Sequence, residues 1–465
     1  MTLNRRHFLL GSASASACLA FSPFNRPARA QSSEYKALVY LFFNGGLDNW
    51  DTIIPFDGPA YDRYSQIRQS LLSIDPSYRA RSGLLPLNMS GFEGRQFALP
   101  AEMSGLHGLF ESGRAAIIGN VGPLIESVTR GSFKDGSVRL PARLFSHNDQ
   151  VATWSSFAPE GGAQFGWGGL FADALRSVNE APEFSAITTG QSKLFLTGRS
   201  VSPYEISANG AVPRNLFTTN REETEGTAAL PFYDRLENQP ARVRTLTNQR
   251  FRDERVRNHS IVNDVAAATR AASTANARYN RATKGATGVT TRFPEGGLGT
   301  KLQAVADAIA ARSSLGMSRQ VFLVSMPGFD THSDQVNALP RMQGEVSGAI
   351  TSFQSAMESL GISEQVTLCT ASDFGRSLAV NGDGTDHGWG GHSFVVGGAV
   401  RGGTVYGELP PADFGHERDA GGGRLIPSTS VESYAASLGR WLGLNDDALR
   451  TALPGWGGST IGVLG

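Results

Sequence analysis

Five short apolar runs punctuate this chain. They are Lys36–Phe43 (KALVYLFF), Ala115–Val121 (AAIIGNV), Gln320–Met326 (QVFLVSM), Gln365–Thr370 (QVTLCT) and Ser393–Val400 (SFVVGGAV). Runs of this length, rich in β-branched and aromatic residues, read as buried strands. Helical periods lie between them. Leu298, Leu302, Val305 and Ile309 step along one helix face, and Val346, Ile350, Phe353, Met357 and Leu360 do the same before Gly361 stops them. Continuous apolar strands separated by amphipathic helices predict an α/β fold, a mainly parallel central sheet sandwiched by helices. The run 36–43 is apolar on both faces and is expected at its centre.

The chain of 465 residues is 40% hydrophobic and 18% charged, enough apolar side chain for a large core, which excludes low-complexity disorder for its bulk. The formal charge is zero, but residues 1–30 hold four arginines and no acid, leaving 38 basic against 42 acidic residues elsewhere. A mildly acidic chain without a basic block offers no electrostatic footprint for nucleic acid. The stretch 219–285 is polar and poor in strand formers. It reads as a helical insertion or cap, or equally as a solvated excursion without a role.

The first thirty residues read as an address. Arg5-Arg6 precede a weakly apolar stretch of about 14 residues, and Ala28-Arg29-Ala30 offers a small-x-small cleavage site. The stretch is short of the ~20 residues a membrane-spanning helix needs. The expectation is export through the twin-arginine translocation machinery to the periplasm or beyond, with no transmembrane segment. Cys18 would leave with the signal, so the mature chain has only Cys369 and no internal disulfide. That suits a protein folded before export.

Chemistry-bearing residues gather where the predicted strands end, the edge at which open α/β sheets bind ligands. Asn44-Gly45-Gly46-Leu47-Asp48 follows the first run, and Gly328-Phe329-Asp330-Thr331-His332 follows the third. Ser372-Asp373-Phe374-Gly375-Arg376 follows the fourth, and Asp386-His387-Gly388-Trp389-Gly390-Gly391-His392 leads into the fifth. Ser146-His147 lies outside these loops. Carboxylate and imidazole together suit zinc or a related divalent ion. Each loop alone is weak, because an Asp after a strand is commonly a turn or cap residue. Asp330 and His332 are two apart and would share a face in extended backbone. Gly45-Gly46 lacks a following Gly-Lys-Ser/Thr, which excludes a P-loop.

Taken in order, the twin-arginine leader, Gly45-Gly46-Leu47-Asp48, Phe145-Ser146-His147, Gly328–His332, Ser372–Arg376, Gly384-Thr385-Asp386-His387-Gly388, Arg424-Leu425-Ile426-Pro427 and Leu438-Gly439-Arg440-Trp441 resemble a secreted bacterial family, domain of unknown function 1501. That family is grouped with the alkaline phosphatase-like superfamily, and the resemblance runs from about Tyr35 to Trp456. It implies that 31–465 is a single alkaline phosphatase-like domain carrying the helical insertion. It implies one or two divalent ions, zinc foremost, held by Asp48, Asp330, His332, Asp373 and His387 with His392 in reserve. Ser146 takes the place of the nucleophile, and Arg376 and His147 would face the substrate. Phe374 stands where a second-metal His is expected after Asp373. A sulfatase using formylglycine is excluded, since Cys369 sits inside an apolar run without a Cys-x-Pro-x-Arg setting.

Two functions stay open at this point. One is a metal-dependent hydrolase of phosphate or sulfate esters acting on a small anionic ester or glycan-type substrate. The other is a non-catalytic ligand-binding or structural exported protein that keeps the fold with an incomplete metal site.

Overall fold

Along Lys36–Phe43 (β1), side chains alternate between two cores. Val39, Leu41 and Phe43 enter one, Leu38, Tyr40 and Phe42 the other, and all six are buried. A period of two with both faces apolar needs cover on both sides. The computed structural model describes residues 34–89, 92, 94–158, 162–190, 194–212, 260–286 and 288–465. Residues 1–30, read as the signal, and 219–259 of the polar stretch lie outside the described residues. Tyr35–Gly465 forms one compact unit.

The remaining strands used below are β2 (Ala115–Gly122), β3 (Ala186–Thr188), β4 (Tyr204–Ser207), β5 (Gly210–Ala211), β6 (Arg319–Met326), β7 (Val366–Ser372), β8 (Arg376–Asn381), β9 (Gly384–His387), β10 (Gly391–Gly397), β11 (Val405–Gly407) and β12 (Thr429–Ser430). The large sheet runs β11-β2-β10-β7-β1-β6-β3-β4-β5, with β12 beside β2. Strand β1 is central, as its composition demands. Its neighbours β6 and β7 are parallel to it, β10 and β5 are antiparallel to their partners, and β8 and β9 form a separate hairpin. The sheet is therefore mixed and mostly parallel.

Helices cover both faces. Ser104–Glu111 (α1), Gly297–Ala310 (α5) and Gln335–Ser359 (α6) bury Phe110, Leu302, Val305, Ile309, Phe353 and Met357 on the first face. Trp167–Ala174 (α3), Val431–Leu442 (α7) and Asp446–Ala452 (α8) bury Trp167, Phe171, Tyr434, Leu438 and Leu449 on the second. Two further helices are His147–Ser156 (α2) and Ser260–Gly285 (α4), the latter inside the expected insertion. Helix α6 reaches back to Gln335, through Pro340, although its apolar period was plain only from Val346. Pro340 lies within its second turn, where proline removes a hydrogen-bond donor and blurs the pattern.

Register then positions the loops. Phe43 pairs with both Met326 and Ser372, so β1, β6 and β7 end level. The segments after them leave from one edge of the sheet. Because β10 runs the other way, its entry at Gly391 lies at that same edge and delivers residues 384–390 there.

Candidate metal centre

Two glycines let the first loop approach the others. Gly45 has φ +117°, and a Cβ there would stand 2.2 Å from the Asp330 backbone nitrogen. Gly46 has φ +88°, and its Cβ would meet the Phe374 ring at 2.5 Å. Neither position admits a side chain without displacing a neighbour. In this close packing, the Gly45 N–H donates to Asp373 Oδ2 at 3.1 Å, and its carbonyl accepts from Arg376 Nη1 at 3.0 Å.

Three imidazoles gather around one carboxylate. His147 Nε2 lies 3.2 Å from Asp330 Oδ2, while His332 Nε2 and His387 Nε2 lie 3.1 and 3.2 Å from Asp330 Oδ1. The donor atoms of His147, Asp330 and His387 lie within 4.8 Å of one another, a spacing that could hold a metal ion. The ring of His147 stands 4.3 Å from that of His387, and His332 stands 4.6 Å from it.

The outer nitrogens explain why the Nε2 atoms turn inward. His387 Nδ1 is 2.7 Å from the Phe145 carbonyl, which can only accept. Nδ1 therefore carries the proton, and Nε2 of the neutral ring presents a lone pair. His147 Nδ1 is 2.6 Å from Asp373 Oδ2, which assigns it the same tautomer. His332 Nδ1 faces Asp386 Oδ1 at a longer 3.7 Å. An imidazole held by a carboxylate or carbonyl at one nitrogen, with the other aimed at a shared point, is the outer arrangement of metal-bound histidines. The group of His147, Asp330 and His387 offers two imidazoles and one carboxylate, a donor set that can hold a divalent ion.

Burial tunes these groups. Desolvation by itself would raise Asp330, but the hydrogen bond and charge of Arg376, helped by His147 and His332, hold it below the ordinary carboxylate range. Burial raises Asp373 despite its bond from His147, and Asp373 Oδ1 is buried without a hydrogen-bond partner. Burial lowers His387 and favours its neutral form.

Five expected site residues have other places. Asp48 is fully buried away from the histidines, where Arg68 Nη1 reaches its Oδ2 at 2.6 Å and the Trp50 and Asp51 N–H groups donate to Oδ1. Arg376 is also fully buried, and its guanidinium serves Asp330, the Gly45 carbonyl and both oxygens of Thr385. It anchors Asp330 and has no face for a substrate. His392 is buried, its Nδ1 accepts the Asn120 N–H at 2.9 Å, and burial pushes it down to about 4. Ser146 caps α2, and its hydroxyl donates to Asp149 Oδ2 at 2.6 Å. Asp373 stands behind His147 as its partner, and His147 joins the cluster.

An open cleft of about 460 Å³ adjoins the cluster, lined by Phe133, Phe145, His332, Asp386, His387, Ala420 and Arg424. The Phe374 ring packs against the cluster, 4.8 Å from His147 and 4.7 Å from His387. Sequence reasoning missed Arg68, Gln335 and Phe145, since nothing local marks a distant buried partner or a carbonyl acceptor. Arg424 carried a signal, lying beside Leu425-Ile426-Pro427 in a glycine-rich turn.

The family model described as "Protein of unknown function (DUF1501)" matches residues 35–446. Comparison with curated proteins gives no match. Among solved structures, the chain is similar to the crystal structure of PsFucS1 sulfatase from Pseudoalteromonas sp., at 11% identity and a TM-score of 0.34. That likeness covers 90% of this chain and 69% of the other.

Proposed function

The chain belongs to the DUF1501 family, whose description names no reaction, and on that premise we propose that it is an exported, zinc-dependent hydrolase of phosphate or sulfate esters with an alkaline phosphatase-like core. One observation carries the reading: three imidazole Nε2 atoms face one carboxylate, with Phe145 and Asp373 holding two of the rings from behind. Those four side chains, His147, Asp330, His332 and His387, would hold the ion. A bound zinc ion supplies a Lewis acid for the charge that develops on ester oxygens. Arg424 then takes the anion-facing role expected of Arg376. It lines the cleft with its side chain 29% exposed, and its Nε donates to the His387 carbonyl at 2.8 Å, which keeps its guanidinium beside the cluster. Phe133 and Phe145 offer an apolar wall for the leaving group.

Residues 1–30 act in this proposal as the twin-arginine signal that takes the protein to the periplasm or outside the cell, and 219–285 as an insertion on the one domain. Among the described residues, no helix is long and apolar enough to cross a membrane.

The rival, a non-catalytic metal or ligand binder, draws support from Ser146, whose hydroxyl is engaged by Asp149. Zinc-loaded protein assayed on phosphate and sulfate monoesters and diesters separates the two. Turnover that Asp330→Ala abolishes supports the hydrolase. Full zinc occupancy with no turnover on any ester supports the rival.

A further inference from the structure

Gln335 opens helix α6 with its side chain fully buried, and all four hydrogen-bonding positions of its amide are used. Nε2 donates to Asp48 Oδ2 at 2.8 Å and to Asp51 Oδ2 at 3.0 Å. Oε1 accepts from the Thr331 hydroxyl at 3.0 Å and the Thr385 hydroxyl at 2.8 Å. The orientation is forced. Turning the amide over would set its oxygen against two carboxylates and its NH2 against two hydroxyls that already donate toward it.

The two threonines are the consequential partners. Thr331 lies between Asp330 and His332, and Thr385 lies two residues before His387 on β9. The Thr385 N–H also donates to the Thr331 carbonyl at 3.0 Å. Behind the amide, Arg68 grips Asp48 and Asp51 and donates to the Ser377 and Leu378 carbonyls of β8. A single buried amide thus joins the loop that carries Asp330 and His332 to the hairpin that carries His387, and ties both to the first-strand loop. In a dry interior such a network stays rigid only while every member is satisfied.

We propose that Gln335 is a positioning residue of the metal centre, setting the separation between His332 and His387 through the Thr331 and Thr385 hydroxyls. The inference rests on the zinc reading above. Groups that hold metal ligands in place typically govern affinity by about 10–100-fold.

The test is zinc affinity, measured by competition with a chromogenic chelator, in the full mature chain and in Gln335→Met, Thr331→Val and Thr385→Val. The valine variants keep shape and remove one hydroxyl each, so they carry the test if Gln335→Met does not fold. The expected result is an affinity about 10–100-fold weaker in each variant. The double variant Gln335→Met/Thr331→Val should lose less than the product of the single losses, because both cut one link. Native zinc affinity in the folded variants would overturn the clamp while leaving the metal centre standing. A parent chain that binds no zinc would overturn both.

Discussion

The Nε2 atoms of His332 and His387 lie 2.8 Å apart. His387 is tied through Nδ1 to the Phe145 carbonyl, so its Nε2 offers a lone pair, and a proton or a cation must lie between the two rings. Both rings should therefore matter to metal binding and His392 should not. His332→Ala or His387→Ala should weaken zinc affinity at least tenfold in a chelator competition. His392→Gln, whose amide can accept the Asn120 N–H in place of the imidazole, should leave it unchanged.

Asp373 should act through His147. Its Oδ2 fixes the ring by an Nδ1 contact of 2.6 Å, and the Gly45 N–H holds that oxygen in turn. Asp373→Asn keeps the shape but removes the charge that raises imidazole basicity. Zinc affinity should fall by about 10–100-fold with little change in fold, judged by circular dichroism. An unchanged affinity would show that His147 is not a ligand.

Two aspartates expected in one site should behave oppositely. Asp48 and Arg68 form a fully buried ion pair, whereas the Asp330 side chain is 45% exposed. Removing Asp48 leaves Arg68 paired with Asp51 alone and takes the acceptor from the buried Trp50 and Asp51 N–H groups and the Gln335 amide. Asp48→Ala should lower the denaturation midpoint sharply. Asp330→Ala should lower zinc content at near-native stability of the metal-free protein. Reversed outcomes would restore Asp48 to the site.

Stability should also carry a pH signature far from the cluster. Burial raises the Glu432 carboxyl from 4.5 to about 7, and its Oε2 has no hydrogen-bond partner. A carboxyl held protonated in the native state gives stability that is fully present below about pH 4.5. That contribution is lost as pH rises toward 7, because the unfolded chain ionises first. The loss is on the order of 3 kcal/mol at ~1.4 kcal/mol per pKa unit. Urea midpoints taken from pH 4.5 to 8 should show this slope, and Glu432→Gln should flatten it.

Much of the fold was legible because burial on both faces leaves an apolar record. All five apolar runs are strands, and β1 lies at the centre. The direction of β10 was not legible, since an apolar run reads the same both ways. The candidate metal centre was half legible. Asp330, His332 and His387 stand beside strand ends, where donors are expected, whereas His147 reads from the sequence as facing the substrate. Asp48 and His392, which read as ligands, and Arg376, which reads as facing the substrate, lie in the same strand-end loops as Asp330, His332 and His387. Only the fold reveals that Arg68, Asn120 and Asp330 already occupy Asp48, His392 and Arg376.

Anomalous diffraction at the zinc edge from zinc-loaded crystals tests the central claim most directly. The account predicts a peak ~2.0–2.2 Å from His147 Nε2, His332 Nε2, His387 Nε2 and an Asp330 oxygen. A crystal with no peak among these four side chains, or with zinc held elsewhere in the molecule, would contradict it.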